Sequence, residues 1–146
     1  MENKLIWLDL EMTGLDPNSE RIIEIFTAVT DENLTEIIEG PDLVIKQPNE
    51  ILDLMDDWNQ EHHKKSGLID EVKRSVITQE DAEAMTLDFL SQHVGKNVSP
   101  LCGNTVWHDR KFLTLYMPQL EDYFHYRVID VSSVKELTKR WRPDAT

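Results

Sequence analysis

Lys4-Leu-Ile-Trp-Leu-Asp-Leu-Glu11, followed by Thr13-Gly-Leu-Asp-Pro17, is the stretch on which the fold turns. The first eight residues form an apolar run of strand length, and the turn-rich residues after it end the run. Side chains alternate across a strand, so Trp7, Asp9 and Glu11 share one face while Leu8, Leu10 and Met12 share the other. Two carboxylates therefore emerge together at the strand's C-terminal end. An apolar strand makes two unpaired charges unfavourable unless a cation accompanies them. Oxygen-rich clusters of this kind suit hard divalent ions such as Mg²⁺. A D-x-E pair alone is a weak signal, since a solvated strand end presents the same pattern.

Working outward, Arg21 to Thr30 is β-branched and reads as a second strand. Leu34 to Gln47 reads as a third, broken near Gly40-Pro41. The Asp31-Glu-Asn33 connector is short enough for a hairpin, which makes the first three strands a meander. The middle turns helical: Asn49 is placed to cap Ile51 to Asn59. Thr78-Gln-Glu-Asp81 opens a longer helix through His93, with Met85, Phe89 and Leu90 as its apolar stripe. Pro100 to Asn104 is a short strand, Lys111 to Met117 a helix, and Val128 to Val131 a fifth strand. Ser132 or Ser133 caps a last helix to Trp141. Strands followed by strand–helix alternation predict an α/β domain, a mixed five-stranded sheet flanked by helices, over residues 1–146.

Composition narrows the function. The 146 residues suit one domain, and 40% are hydrophobic. No stretch reaches membrane-span length, and the N-terminus from Met1 lacks a signal-peptide layout. The single cysteine, Cys102, forms no internal disulfide and fits a reducing, cytoplasmic setting. A net charge of −13, from 28 acidic and 15 basic residues, argues against long nucleic acid as a partner, because such binding needs many basic contacts to phosphates. A small anionic ligand held through metal remains compatible.

The string Asp9-Leu-Glu-Met-Thr-Gly-Leu-Asp16 resembles the first motif of the DEDDh 3′→5′ exonuclease superfamily, and its Glu-Met-Thr-Gly-Leu form resembles the oligoribonuclease family. Further likenesses follow in order: Arg21 to Ile25, Leu54 to Asn59, Gly103-Asn104 with His108 to Leu113, Tyr123 to Arg127, Asp130 to Ser132, Lys135 to Leu137, and Arg140 to Pro143. The resemblance implies a ribonuclease H-like fold, two Mg²⁺ or Mn²⁺ ions, a homodimer, and release of mononucleotides from the 3′ end of very short RNA. It assigns Asp9, Glu11 and Asp109 as metal carboxylates, and Asp109 is read as lying just before a helix. It makes Leu15 a wedge between terminal bases and puts Trp58 near the base pocket, although composition alone would bury that tryptophan. Tyr126 would reach the partner's site, while Thr105, Arg127 and Ser132 would surround the 5′ phosphate and so limit substrate length.

One departure stands out: Trp107-His108 occupies positions where the family carries a small residue and Gln. The family's final motif, a general-base His and a fourth Asp at H-x-x-x-x-D spacing, lies beyond the Arg-Trp-Lys/Arg-Pro segment. Here Pro143 is followed by Asp144, Ala145 and Thr146. A polypeptide of this extent is therefore expected to be weakly active or inactive, while its full-length parent is an exonuclease. His125 and Asp130 match the spacing by count but fall in a different family segment. His62, His63 and His93 read as surface helix residues. Two alternatives stay open: a proofreading-type DNA exonuclease, and a non-catalytic nucleotide-binding or dimerisation module.

Overall fold

The structure is a computed structural model and describes residues 3–145; Met1, Glu2 and Thr146, on which expectations about the termini partly fall, lie outside the described residues. Strands β1 (Leu5–Met12), β2 (Ile22–Thr30) and β3 (Ile37–Val44) form an antiparallel meander. β4 (Leu101–Gly103) and β5 (Val128–Asp130) add in parallel on the other side of β1, giving the order β3-β2-β1-β4-β5. This is the mixed sheet that the pattern predicts, and it agrees with the ribonuclease H-like fold that the resemblance implies. β1 is central because it pairs with β2 along one edge and with β4 along the other; Ile6, Leu8 and Leu10 are buried on its core face, and Asp9 stands exposed on the opposite one.

Seven α-helices are described: α1 (Asn49–Asp53), α2 (Asp57–Lys65), α3 (Leu68–Arg74), α4 (Gln79–Ser91), α5 (Val106–Tyr116), α6 (Pro118–Glu121) and α7 (Val131–Trp141). The main core lies between one sheet face and α4, α5 and α6, where Ile6, Leu8, Leu10 and Ile25 meet Leu90, Phe112, Leu113 and Leu120. A second, smaller core joins Ile23 to Leu52, Met55, Leu68 and Val72. Its origin is a bulge: Glu11 pairs with Glu24 but Met12 pairs with Ile22, so Ile23 is the unpaired extra residue. That side chain packs with residues of α1, of the turn after it and of α3, beside the carboxylate end of β1.

Several boundaries differ from expectation, each for a local reason. Gly40-Pro41 does not break β3; it forms a second bulge, with Phe26 opposite Asp42 and Ala28 opposite Glu39. A Cβ on Gly40 would lie 2.6 Å from the Phe89 ring, which explains the glycine. The helix expected over Ile51 to Asn59 is two helices, because the Asp56 carboxylate turns back to cap α2 through the Asn59 amide (2.8 Å); Pro48, not Asn49, precedes α1. Helix α3 was not foreseen. In α4 the Thr78–Asp81 capping box is present, but the buried stripe is Ala82, Thr86 and Leu90, with Met85 exposed, and the helix stops at Ser91 rather than His93. α5 starts five residues earlier than expected, and Asp130, not a serine, caps α7.

Candidate active site

The parallel pairing of β1 with β4 sets α5 over the end of β1. Gly103 permits the approach: a Cβ there would lie 2.8 Å from the Leu8 carbonyl oxygen and 2.8 Å from Val106. Thr105 then turns through a left-handed conformation (φ 54°) and α5 begins, so Asp109 falls in the helix's first turn instead of ahead of it. There a carboxylate is favoured by the helix dipole. Its side chain reaches β1, where the Leu10 amide donates to it.

Asp9, Glu11 and Asp109 are thereby brought into one electrostatic neighbourhood. Asp109 is buried, and burial is the largest influence that raises its pKa to about 7; the Asp9 charge comes next, and Glu11 and Asp130 add to it. The amide of Leu10 opposes this without offsetting it. Asp9 itself is pushed up, first by burial and then by Asp42. The acidic surface extends along the sheet: Glu24, which pairs with Glu11, is raised to about 8 by burial, by a hydrogen bond with Asp42 and by the charges of Asp42, Glu11 and Glu71. Glu24 and Asp42 escaped sequence reasoning because only the cross-strand register places them here.

The loop from Thr13 to Arg21 closes over this end. The Thr13 amide donates to the Arg21 carbonyl (2.9 Å), the Arg21 amide to the Thr13 hydroxyl (2.9 Å), and that hydroxyl to Glu20 (2.5 Å). Leu15 projects from the loop, 79% exposed. Two α5 residues pin the loop: Tyr116 binds Arg21 and the Pro17 carbonyl, and His108 Nε2 lies 2.7 Å from the Leu15 carbonyl oxygen. That acceptor makes His108 the donor. The departure at position 108 thus holds the loop bearing Leu15, and its ring is directed there.

Trp58 is exposed, correcting the burial that composition suggested, and stacks on His62 with ring centroids 4.9 Å apart. His63 is also corrected: it is buried, and its Nε2 lies 2.8 Å from the Met12 carbonyl oxygen while Nδ1 lies 4.0 Å from Glu11. The signal for it was the i, i+4 spacing of Asn59 and His63, both buried on one face of α2.

Asp130 is a structural hub. Its carboxylate accepts from the amides of Thr105 (2.8 Å), Val106 (3.1 Å) and Ser132 (3.0 Å) and from the Ser132 hydroxyl (2.7 Å). Burial pushes its pKa up, but the Ser132 hydroxyl and these amides outweigh burial and hold it low. Those bonds tie Thr105 and Ser132 together around the end of β5. His125 Nδ1 accepts from the Arg127 amide, so this ring faces its own turn. Tyr126 is 74% exposed, between the stacked His125 ring (4.4 Å) and the Arg127 guanidinium (5.3 Å). A cavity of about 560 Å³ runs between β1 and α7, lined by Asp9, Phe26, Asn104 and Lys135 among others.

Comparison with known proteins matches this arrangement to a class. The RNase_T exonuclease family model covers residues 6–146. Exonuclease I in its apo form superposes with a TM-score of 0.73 over 99% of this chain and 32% of that one, at 15% identity. Escherichia coli exonuclease I in complex with a dT13 oligonucleotide gives 0.71 over 98% and 31%, also at 15% identity. At such identities the likeness speaks for the fold. The oligoribonuclease of Shewanella loihica is 59% identical over 143 residues, spanning 98% of this chain and 79% of its own. That of Chromobacterium violaceum is 56% identical over 142 residues, spanning 97% and 78%.

The chain belongs to the oligoribonuclease family. It is a 3′→5′ exoribonuclease, a phosphodiester hydrolase acting on nucleic acid, and neither the proofreading nor the non-catalytic alternative is favoured. No described helix is long and apolar enough to cross a membrane.

Proposed function

We propose that Asp9, Glu11 and Asp109 hold two divalent cations, Mg²⁺ or Mn²⁺, against the terminal phosphodiester of RNAs a few nucleotides long. The observation that carries this reading is the placement of Asp109, buried in the first turn of α5 beside Asp9 and Glu11 of β1, a crowding that also raises its pKa. Carboxylates that repel one another in this way suit a hard cation, and all three supply oxygen donors. The donor set therefore fits the ions. Bound there, the pair would supply an activated water and a counter-charge for the leaving oxygen.

The chain's own residues position the substrate. Leu15, held at its carbonyl by His108, is placed to wedge between the last two bases. Trp58 offers an exposed ring face for the terminal base. Thr105 and Ser132 meet through Asp130 at one end of β5, while Arg127 precedes its other end; all three are assigned the 5′ phosphate, and Lys135 adds a cation in the cleft beside Asp9. A phosphate held at that distance caps the substrate, since longer RNA would have to pass through the contact. Net charge of −13 works in the same direction by repelling long polyanions. Tyr126 projects from the surface, in keeping with a homodimer in which it completes the partner's site. The general-base His and fourth Asp are assigned to the family's final motif, and the cytoplasm is the proposed setting. The domain is taken as a single exonuclease unit.

The test is a 5′-labelled RNA trimer incubated with full-length protein and Mg²⁺ or Mn²⁺. Shortening from the 3′ end supports the reading. Unchanged trimer, or a preference for long single-stranded DNA, would overturn it.

A further inference from the structure

Helix α2 brings His62 and His63 to the strand end that carries Glu11, and one ligand atom from each lies within 4.8 Å of the other two. Hydrogen bonding fixes what His63 can offer. Its Nε2 lies 2.8 Å from the Met12 carbonyl oxygen, which can only accept, so that nitrogen carries the hydrogen. In the neutral ring Nδ1 then holds a lone pair, and it faces the Glu11 carboxylate at 4.0 Å. Two acceptors confront each other where His63 is only 2% exposed. A positive species between them, a proton or a metal ion, resolves the conflict. His62 favours the metal: it brings a third donor to the gap, which a proton shared by two groups does not use. Stacking on Trp58, with the rings 8° from parallel, holds that donor in place.

We propose that Glu11, His62 and His63 form a separate site for a borderline-soft divalent cation, with Zn²⁺ the ion it fits, and that occupancy is inhibitory. Two imidazoles, a carboxylate and an open position match known zinc coordination. Tetrahedral bonds of about 2.0–2.2 Å put ligand atoms roughly 3.4 Å apart, so the 4.0 Å between His63 and Glu11, and the spread of the trio within 4.8 Å, close by side-chain movement. Imidazole nitrogen selects Zn²⁺ over Mg²⁺ and Mn²⁺, whereas the Asp9–Glu11–Asp109 oxygens suit the harder ions. Glu11 belongs to both sets. A zinc ion that draws it toward α2 removes it from Asp9 and Asp109. The inhibitory consequence rests on the proposed catalytic role of Glu11; zinc binding itself does not.

The experiment titrates metal-free full-length protein with Zn²⁺ in competition with a chromogenic chelator. His62→Ala serves as the variant, because this exposed side chain is removable without opening the core. Wild type should bind one Zn²⁺ per chain at this site, and His62→Ala should bind it at least about tenfold more weakly. Mn²⁺ binding, read by electron paramagnetic resonance, should be the same in both. Co²⁺ in place of Zn²⁺ should give the visible absorption of a tetrahedral site in wild type and lose it in the variant. Equal zinc affinity in the two proteins would overturn the proposal. So would absent zinc binding with nitrogen NMR showing His63 doubly protonated, which would assign the gap to a proton. His62-dependent zinc binding in a protein that leaves the RNA trimer intact would retain the site and reject the catalytic reading.

Discussion

Replacing Asp109 by asparagine removes one charge from the carboxylate cluster while keeping an oxygen to accept the Leu10 amide. In metal-free protein the folded Asp109 binds its proton up to about pH 7, whereas an unfolded aspartate releases it near its ordinary value of 3.8. Because the folded-state value is raised, this group's contribution is fully present below about pH 4 and is lost as the pH rises toward 7. A displacement of that size corresponds to a ceiling of about 4 kcal/mol, and about 2 kcal/mol is expected once water reaches the half-open strand end. Urea unfolding in EDTA should therefore give near-equal stabilities at about pH 4. At about pH 8.5 the asparagine variant should be the more stable by about 2 kcal/mol. Saturating Mn²⁺ should reverse the order, since an ion at a hundred times its dissociation constant adds about 2.7 kcal/mol to wild type and much less to the variant. A variant that is less stable than wild type at high pH without metal, or that gains as much from Mn²⁺, would refute the reasoning.

Gly103→Ala should destabilise by about 2–3 kcal/mol and weaken Mn²⁺ binding together, because the new methyl meets the Leu8 carbonyl and Val106 and displaces the start of α5; thermal melts and Mn²⁺ titration check it. Asp130→Ala should cost about 2–4 kcal/mol in urea unfolding, through loss of the α7 cap and of the bonds to Thr105 and Val106. Asp130's folded pKa is lowered, so the wild-type advantage should persist at neutral pH and fade only in acid. Glu24→Gln should be nearly neutral for stability at about pH 4, below the ordinary value of 4.5, and should become steadily more favourable as the pH rises toward about 8, because unfolded wild type ionises over that range while folded Glu24 keeps its proton; a pH series of melts compares the two.

The sheet was legible because its strands alternate cleanly. Ile6, Leu8 and Leu10 point one way and Asp9 and Glu11 the other, so the core face and the carboxylate face of β1 follow from period two alone. The helical middle was less legible. Nothing in Leu54-Met55 breaks a periodic run; the break comes from Asp56 capping its own successor, a local competition that pattern reading does not resolve. The start of α5 was missed because Thr105 takes a left-handed turn without a side-chain cap, and Trp107 and His108 do not extend an apolar stripe. Among the site residues, Asp9 and Glu11 could be paired on one face from spacing. Asp109 needed the parallel β1–β4 register to bring it to them, and the burial of His63 depends on α2 lying against the Met12 end of β1. Distances between elements are set by packing, and a single sequence does not state them.

Diffraction from Mn²⁺-soaked crystals, collected at a wavelength where manganese scatters anomalously, tests the metal assignment most directly. Peaks about 3.5–4 Å apart, within bonding distance of Asp9, Glu11 and Asp109 oxygens, are the expected result. Manganese located elsewhere on the chain, with those three carboxylates left uncoordinated at saturating ion, would contradict it.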